Sequence, residues 1–208
     1  PLKSVGGVYP NEVNITPKGI AYDRQWMVVA PDGTMHSQRT LPAMATIASQ
    51  LTTTECILHL SGQTSLKLPL ANTEGTIKSV ELWGQTLEAI HLSEAYDNAL
   101  SEFLGTSSQL VYLPARSHRP IDPTYAQGST IGFSDGFPFL VANSASLEQL
   151  NEKLAAPIPM NRFRANFIVD GASPFAEDRW KKIKIGPAFF SLVKPCTRCA
   201  IITTNQET

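Results

Sequence analysis

Cysteine, histidine and excess charge of either sign are all scarce in this chain, and each shortage closes off a class of function. Three cysteines in 208 residues cannot make the paired framework of a small secreted disulfide protein, so a reducing cytoplasm is the expected compartment. Three thiols also fall short of the four that an iron–sulfur cluster takes. The four histidines are scattered at His36, His59, His91 and His118. No second CxxC or nearby CxxH completes a structural zinc site, and no histidine has the context of a Cys–His protease. With 17 basic and 18 acidic side chains, no net field draws the protein to a nucleic acid polymer or a membrane surface. No window approaches the roughly 18 uninterrupted apolar residues of a spanning helix.

What the chain does have is strand signal. At 42% apolar it can bury one large core or two small ones. YDRQWMVVAP and TMHSQRT flank Asp32–Gly33 and read as a hairpin. TIASQLTTTECILHLSGQTSLKLPL gives two or three short strands, with Cys56 as a buried strand residue, and TIKSVELWGQTLEAIHL gives a pair around Trp83–Gly84. These runs predict an antiparallel, barrel-like unit. Apolar residues at Tyr96, Leu100, Phe103 and Leu104 predict a helix over 93–104 with Ser93 as its cap. Leu147, Leu150 and Leu154 predict a second over 144–154. The Pro-, Arg- and Gly-containing connection PARSHRPIDPTYAQGSTIGFSDG has neither period, which places a boundary near residue 115. Beyond it, NRFRANFIVDG reads as a strand and KKIKIGPAFFSLVKPC as two strands around Gly186–Pro187. The expected class is mainly β with a few helices (α+β), in two β-barrel-like units.

The run Lys194-Pro195-Cys196-Thr197-Arg198-Cys199 holds the most chemistry. Nearby cations favour thiolate over thiol, and thiolate is the nucleophile and soft-metal ligand. AIITT after the pair reads as a strand, unlike the helix that follows a thioredoxin-type CxxC. What the other readings leave is a thiolate on a metal whose remaining ligands come from a cofactor. Cationic and hydrogen-bonding residues recur at strand ends: Lys3–Ser4, Asp23–Arg24, Gln38–Arg39, Arg116 with Arg119, Arg162 with Arg164, and Asn166. They can gather around one anion, which guanidinium forks bind bidentately; taken singly, they are ordinary surface charges. The Ser134–Asp135–Gly136 turn in FSDGFPFL is either an anion nest or simply a strand entry.

PLKS at 1–4, DRQW at 23–26, FSDGFPFL at 133–140, RFRANFIV at 162–169, AEDRW at 176–180 and CTRC at 196–199 occur in the order and spacing of the MOSC family. The chain resembles its members that carry an N-terminal β-barrel, in the branch that reduces amidoximes and other N-hydroxylated bases. That resemblance implies a MOSC N-terminal β-barrel domain over 1–115 and a MOSC domain over 116–208. The family continues past Thr208 with strands that close the second barrel, so that unit is expected to be truncated here. The implied cofactor is the molybdenum cofactor (Mo-molybdopterin), whose dithiolene holds the metal and whose phosphate is anionic; pyridoxal phosphate is also associated with the family. Cys196 would be the metal ligand and catalytic residue. Lys3, Ser4, Arg24, Ser134, Asp135, Arg164 and Asn166 would line the pterin and phosphate pocket, with Arg162, Arg198 and Cys199 beside them. Ala165 stands where the family pattern has proline, which loosens a turn and removes no ligand. The implied activity is reduction of N–OH to N–H in a small substrate, with electrons from an external or fused ferredoxin-like protein or flavoprotein. Two alternatives are a cofactor carrier or sulfur-transfer module related to the sulfurases, and a non-enzymatic anion-binding domain.

Overall fold

The computed structural model describes residues 1–62, 65–71 and 74–206. In chain order these form β1 (Ile15–Thr16), β2 (Gly19–Ile20), β3 (Trp26–Val29), β4 (Ala48–Leu51), β5 (Glu55–His59), β6 (Leu66–Pro69), β7 (Thr76–Leu82) and β8 (Gln85–His91). Then come α1 (Glu94–Leu104), β9 (Gln109–Tyr112), β10 (Val141–Asn143), α2 (Ser144–Asn151), β11 (Phe167–Val169), β12 (Lys182–Ile185) and β13 (Ala188–Ser191). The mainly-β α+β class expected from the sequence is the one observed. Part of the polar turn between β5 and β6 lies outside the described residues.

Four consecutive apolar residues make β3 a strand buried on both faces. Side chains alternate across a strand, and the two parities feed two cores. Trp26 and Val28 join Leu110 and Tyr112 of β9, Cys56 and Leu58 of β5, and Leu100 of α1 in the first. Met27 and Val29 join Val111, Leu113, Val80, Leu82 and Phe133 in the second. The first core therefore sits between the four-stranded sheet β3-β9-β8-β7 and the three-stranded sheet β4-β5-β6. Trp26 is fully buried, and truncating a core tryptophan typically costs about 3–5 kcal/mol. Among the described residues the sheets are open layers, not closed barrels.

α1 begins where the sequence placed it. Ser93 is its N-cap residue in extended conformation, although its side chain makes no capping bond, and Gly105 ends the helix at φ 66°. At the predicted hairpin, Gly33 adopts φ 91°, and a Cβ there would lie 2.5 Å from the Ser79 carbonyl oxygen. Only glycine lets this turn lie against β7. Its second arm is reduced to bridges, Val29 to Met35 and Thr34 to Glu81.

Beyond residue 113 the chain is irregular, with one bridge between Pro120 and Thr130, until β10. β10 pairs in parallel with β11, α2 forming the connection, and β12 pairs antiparallel with β13. One expectation is corrected. AIITT is not a strand: Ala200–Thr203 is a 3-10 turn. Ile202 N–H donates to Cys199 O at 3.3 Å and Thr204 N–H to Ile201 O at 3.0 Å. Among the described residues no ladder forms there, so the backbone satisfies itself locally despite the β-favouring side chains.

Candidate functional site

The two cores fix the residues that define the site. Leu2 and Val5 are buried in the first core, and Lys3 N–H donates to Trp26 O at 2.9 Å, which sets Lys3 and Ser4 between them. Phe133 is buried in the second core, and its N–H donates to Arg24 O at 2.9 Å. A Cβ on neighbouring Gly132 would lie 3.2 Å from that same oxygen, a tight contact that glycine avoids. Across the gap, Lys3 Nζ donates to Phe133 O at 2.8 Å and to Asp135 Oδ1 at 2.5 Å.

Arg119 holds the 132–135 turn from behind. It is 3% exposed. Its Nη1 donates to the Gly132 and Ser134 carbonyls, its Nη2 to Asp135 O at 2.8 Å, and its Nε to Gln85 Oε1 at 2.8 Å. The second cluster is built on Asp23, whose Oδ2 accepts from Arg24 Nη1 at 2.6 Å and Asn166 Nδ2 at 2.9 Å. Asn166 Oδ1 accepts the Leu140 N–H at 3.0 Å, which ties β10 to β11 at this end. Arg24 Nη2 reaches Arg164 O at 3.3 Å, and Arg164 Nη1 donates to Val5 O at 2.8 Å.

Both CTRC thiols lie at the surface. Arg198 Nη1 is 3.2 Å from Cys196 Sγ, while its Nη2 donates to Phe163 O at 2.5 Å. Burial pushes the Cys199 thiol up, but hydrogen bonds from Arg39 and the Ile201 N–H, with the Arg39 charge, outweigh it and bring the pKa below the ordinary value. Arg39 stacks over the Trp83 ring at 4.5 Å, and Trp83 Nε1 donates to Asp135 Oδ1 at 3.2 Å. Cys199 is thereby linked, through Arg39 and Trp83, to the Lys3–Asp135 pair. Gln38 fixes the segment after the thiols: its Nε2 donates to Ser4 O, and it exchanges two amide bonds with Gln206 at 3.1 and 3.0 Å.

These elements enclose a cleft of about 990 Å³. Lys3, Ser4, Arg24, Ser134, Asp135, Arg162, Arg164, Asn166, Cys196 and Arg198, ten of the residues singled out from sequence, all line it, as does Cys199. Arg116 and Arg119 do not; the first is exposed elsewhere and the second serves the turn. Sequence reasoning missed Trp83 and the brace at the far wall, where Glu177 accepts from Ser146 Oγ at 2.7 Å and Asn143 Nδ2 at 3.1 Å. The only hint of Trp83's role was an exposed aromatic in a turn. Eight lysines and arginines line the cleft against three carboxylates, so its charge suits an anion. Six non-glycine residues among those described have left-handed φ, and five of them (Ser4, Arg24, Trp83, Arg164 and Phe175) are on its wall. Such conformations cost about 1–3 kcal/mol each and concentrate at binding and catalytic sites.

Burial lowers the Lys3 pKa to about 8 from 10.5; Asp135 pulls it back up, and the Arg24 and Arg119 charges push it down. An unfolded lysine would keep its proton to about 10.5, so between these values the unfolded chain binds more protons and this group raises stability as pH climbs. Anion binding has the opposite trend, because the ammonium is lost above pH 8. Sulfate, whose charge is constant in this range, is expected to bind up to about tenfold more weakly at pH 9 than at pH 7, because the protonated fraction of a group titrating near 8 falls about tenfold over that interval. Calorimetry should show the dependence flattened in Lys3→Met; an equally steep dependence there would move the titration to another group.

The fold and site define an α+β protein with a cation-lined cleft and a surface thiol pair at its rim. The chain belongs to the MOSC family: the MOSC N-terminal beta barrel domain matches residues 1–107 and the MOSC domain residues 128–208. It is 30% identical over 220 residues to mouse mitochondrial amidoxime-reducing component 1, aligning along all of this chain and 64% of that protein. It is 26% identical over 227 residues to the molybdenum cofactor sulfurase of Oryza sativa subsp. japonica, again along its full length but over 28% of the relative. The chain thus spans just under two thirds of the first relative. A solution structure from Bordetella bronchiseptica aligns with 51% of this chain and 91% of its own at 16% identity and a TM-score of 0.40. No helix among the described residues is long and apolar enough to cross a membrane.

Proposed function

We propose that this protein binds the molybdenum cofactor and reduces N-hydroxylated compounds, breaking N–O and releasing water as two electrons and two protons are taken up. The observation that carries this reading is the pairing of exposed thiols with a cleft whose lining is strongly cationic. The donor set fits the cofactor on three counts. A soft sulfur is available at the rim. No cluster of three or more histidine, cysteine or carboxylate groups capable of holding a metal occurs among the described residues, so a metal at the thiols needs ligands from outside the chain, as a dithiolene supplies. Arg162 Nε, on the cleft wall, is buried without a hydrogen-bond partner among the described residues, and an incoming anion can satisfy it.

In this reading Lys3, Arg24 and Arg164 hold the anionic end, each charge-assisted contact contributing about 1.5–3 kcal/mol. Ser4, Ser134 and Asn166 complete the wall, and Arg198 steadies the thiol loop against Phe163. When bound, the cofactor supplies the two-electron oxygen-transfer chemistry. The family resemblance placed the metal on Cys196. We favour Cys199 in its place, because the Arg39 contact joins its thiol through Trp83 to the Lys3–Asp135 pair. Electrons would come from a separate ferredoxin-like or flavin protein.

The relationship to molybdenum cofactor sulfurases supports a second reading, in which the same cleft carries the cofactor or sulfur without turnover. Incubating metal-loaded protein with an N-hydroxylated purine and a chemical electron donor separates the two. The oxidoreductase reading predicts amine formation in proportion to molybdenum content. Metal-loaded protein that forms no amine would support the carrier reading instead.

A further inference from the structure

A smaller pocket of about 230 Å³ lies beside the cleft and shares Trp83, Asp135, Phe137 and Lys194 with it. Nothing in the cofactor reading uses its far wall. There Tyr125 is set edge-on against Phe137, ring centroids 5.7 Å apart, with Lys194 Nζ 4.7 Å from the Tyr125 ring centre. Asp122 stands at the rim, one carboxylate oxygen accepting the Thr124 N–H at 2.9 Å. The hydrogen bond to Thr124 holds that carboxyl below its ordinary pKa, so it is an acceptor at neutral pH, while Lys194 is a donor.

The volume is below the roughly 300–1,000 Å³ of sites for drug-sized ligands, which leaves room for one or two rings. Aromatic walls suit a flat π-system, and a rim bearing one acceptor and one donor suits a heteroaromatic base, which has both ring nitrogens and N–H groups. The inner rim is Trp83 and Asp135, the residues that lead through Arg39 to Cys199. A ring lodged against Tyr125 therefore lies beside the wall that the pocket shares with the cleft.

We propose that this side pocket, walled by Trp83, Tyr125 and Phe137 with Asp122 and Lys194 at its rim, binds the planar ring of a heteroaromatic base and presents its exocyclic nitrogen to the cleft. The assignment rests on the reductase reading for its consequence, but ring binding itself needs no metal. Calorimetry on the purified full-length chain with adenine, a ring-only probe, and with N-hydroxylated adenine tests it. Saturable binding of both is expected, at least about tenfold weaker in Tyr125→Ala, since stacking on one aromatic is commonly worth that much. Tyr125→Phe, which keeps the ring, should retain affinity, and molybdenum content should be unchanged in both variants. Absence of adenine binding, or equal affinity in Tyr125→Ala, overturns the pocket assignment. Should Tyr125→Ala not fold, an intermolecular NOE between adenine and the Tyr125 ring in the wild type decides instead, its absence at saturation counting against the pocket. Tyr125-dependent adenine binding by a protein that takes up no molybdenum would uphold the pocket and sink the reductase reading. Turnover of N-hydroxylated purine that ignores Tyr125→Ala would do the reverse.

Discussion

Cys199→Ser is expected to reduce molybdenum retained per chain at least tenfold, as roughly follows when a soft donor is replaced by a hard, weakly binding hydroxyl. The substitution removes one sulfur from an exposed loop, so its thermal stability should stay within the ordinary range of surface changes, about 0.5 kcal/mol. Cys196→Ser should keep most of its metal, because the contacts of Cys196 are to Arg198 and the Thr197 carbonyl and not to the Arg39–Trp83–Asp135 chain. Arg39→Ala leaves the sulfur but removes its partner, and roughly a tenfold weakening is the usual effect of losing such support. Metal analysis of the three variants after gel filtration checks the ordering. The opposite result, loss in Cys196→Ser and retention in Cys199→Ser, would return the ligand to the position the sequence favoured.

Arg119→Ala is expected to cost the most stability of any cleft-adjacent substitution. The guanidinium makes three bonds to main-chain carbonyls of the 132–135 turn and one to Gln85. Gly132 and Ser134 are buried, so their carbonyls would be left without a donor or water, at about 1–3 kcal/mol each. A loss near 3 kcal/mol lowers Tm by on the order of 10 °C in a chain this size. Because the turn also anchors Lys3, sulfate affinity at pH 7 should fall with it. Arg119→Lys offers a single ammonium in place of a fork and should recover only part of the loss. Scanning calorimetry decides; a shift below about 2 °C for Arg119→Ala would mean that the turn is held by Phe133 and Lys3 without it.

Local features of this fold were legible in the sequence because local chemistry determines them. Trp83–Gly84 and Gly186–Pro187 turn their hairpins where the flanking strand patterns change, and Ser93 starts α1. The failure at Ala200–Thr203 has the same physics in reverse. β-branched residues favour an extended chain only where a neighbouring strand takes up the N–H and C=O groups. Closure of the sheets was likewise unreadable, since it depends on which edges meet. The ten cleft residues run from Lys3 to Arg198, and no periodicity joins them. Cations at strand ends suggested several of them as an anion cradle, and the motif order of a known family collected the set. What that resemblance did not convey was the wiring: that Arg119 faces main-chain carbonyls and not the cleft, and that Trp83 couples Arg39 to Asp135. Both follow from long-range packing, in which Phe133 brings its turn onto the second core.

The central claim is that the cationic cleft and its thiols hold a molybdenum cofactor. Its most direct test is the molybdenum-to-protein ratio of freshly purified full-length protein, produced in a host that makes the cofactor. A ratio approaching one, with a phosphorylated pterin released on denaturation, is predicted. Protein that is folded, with both thiols reduced, yet carries neither metal nor pterin would contradict it.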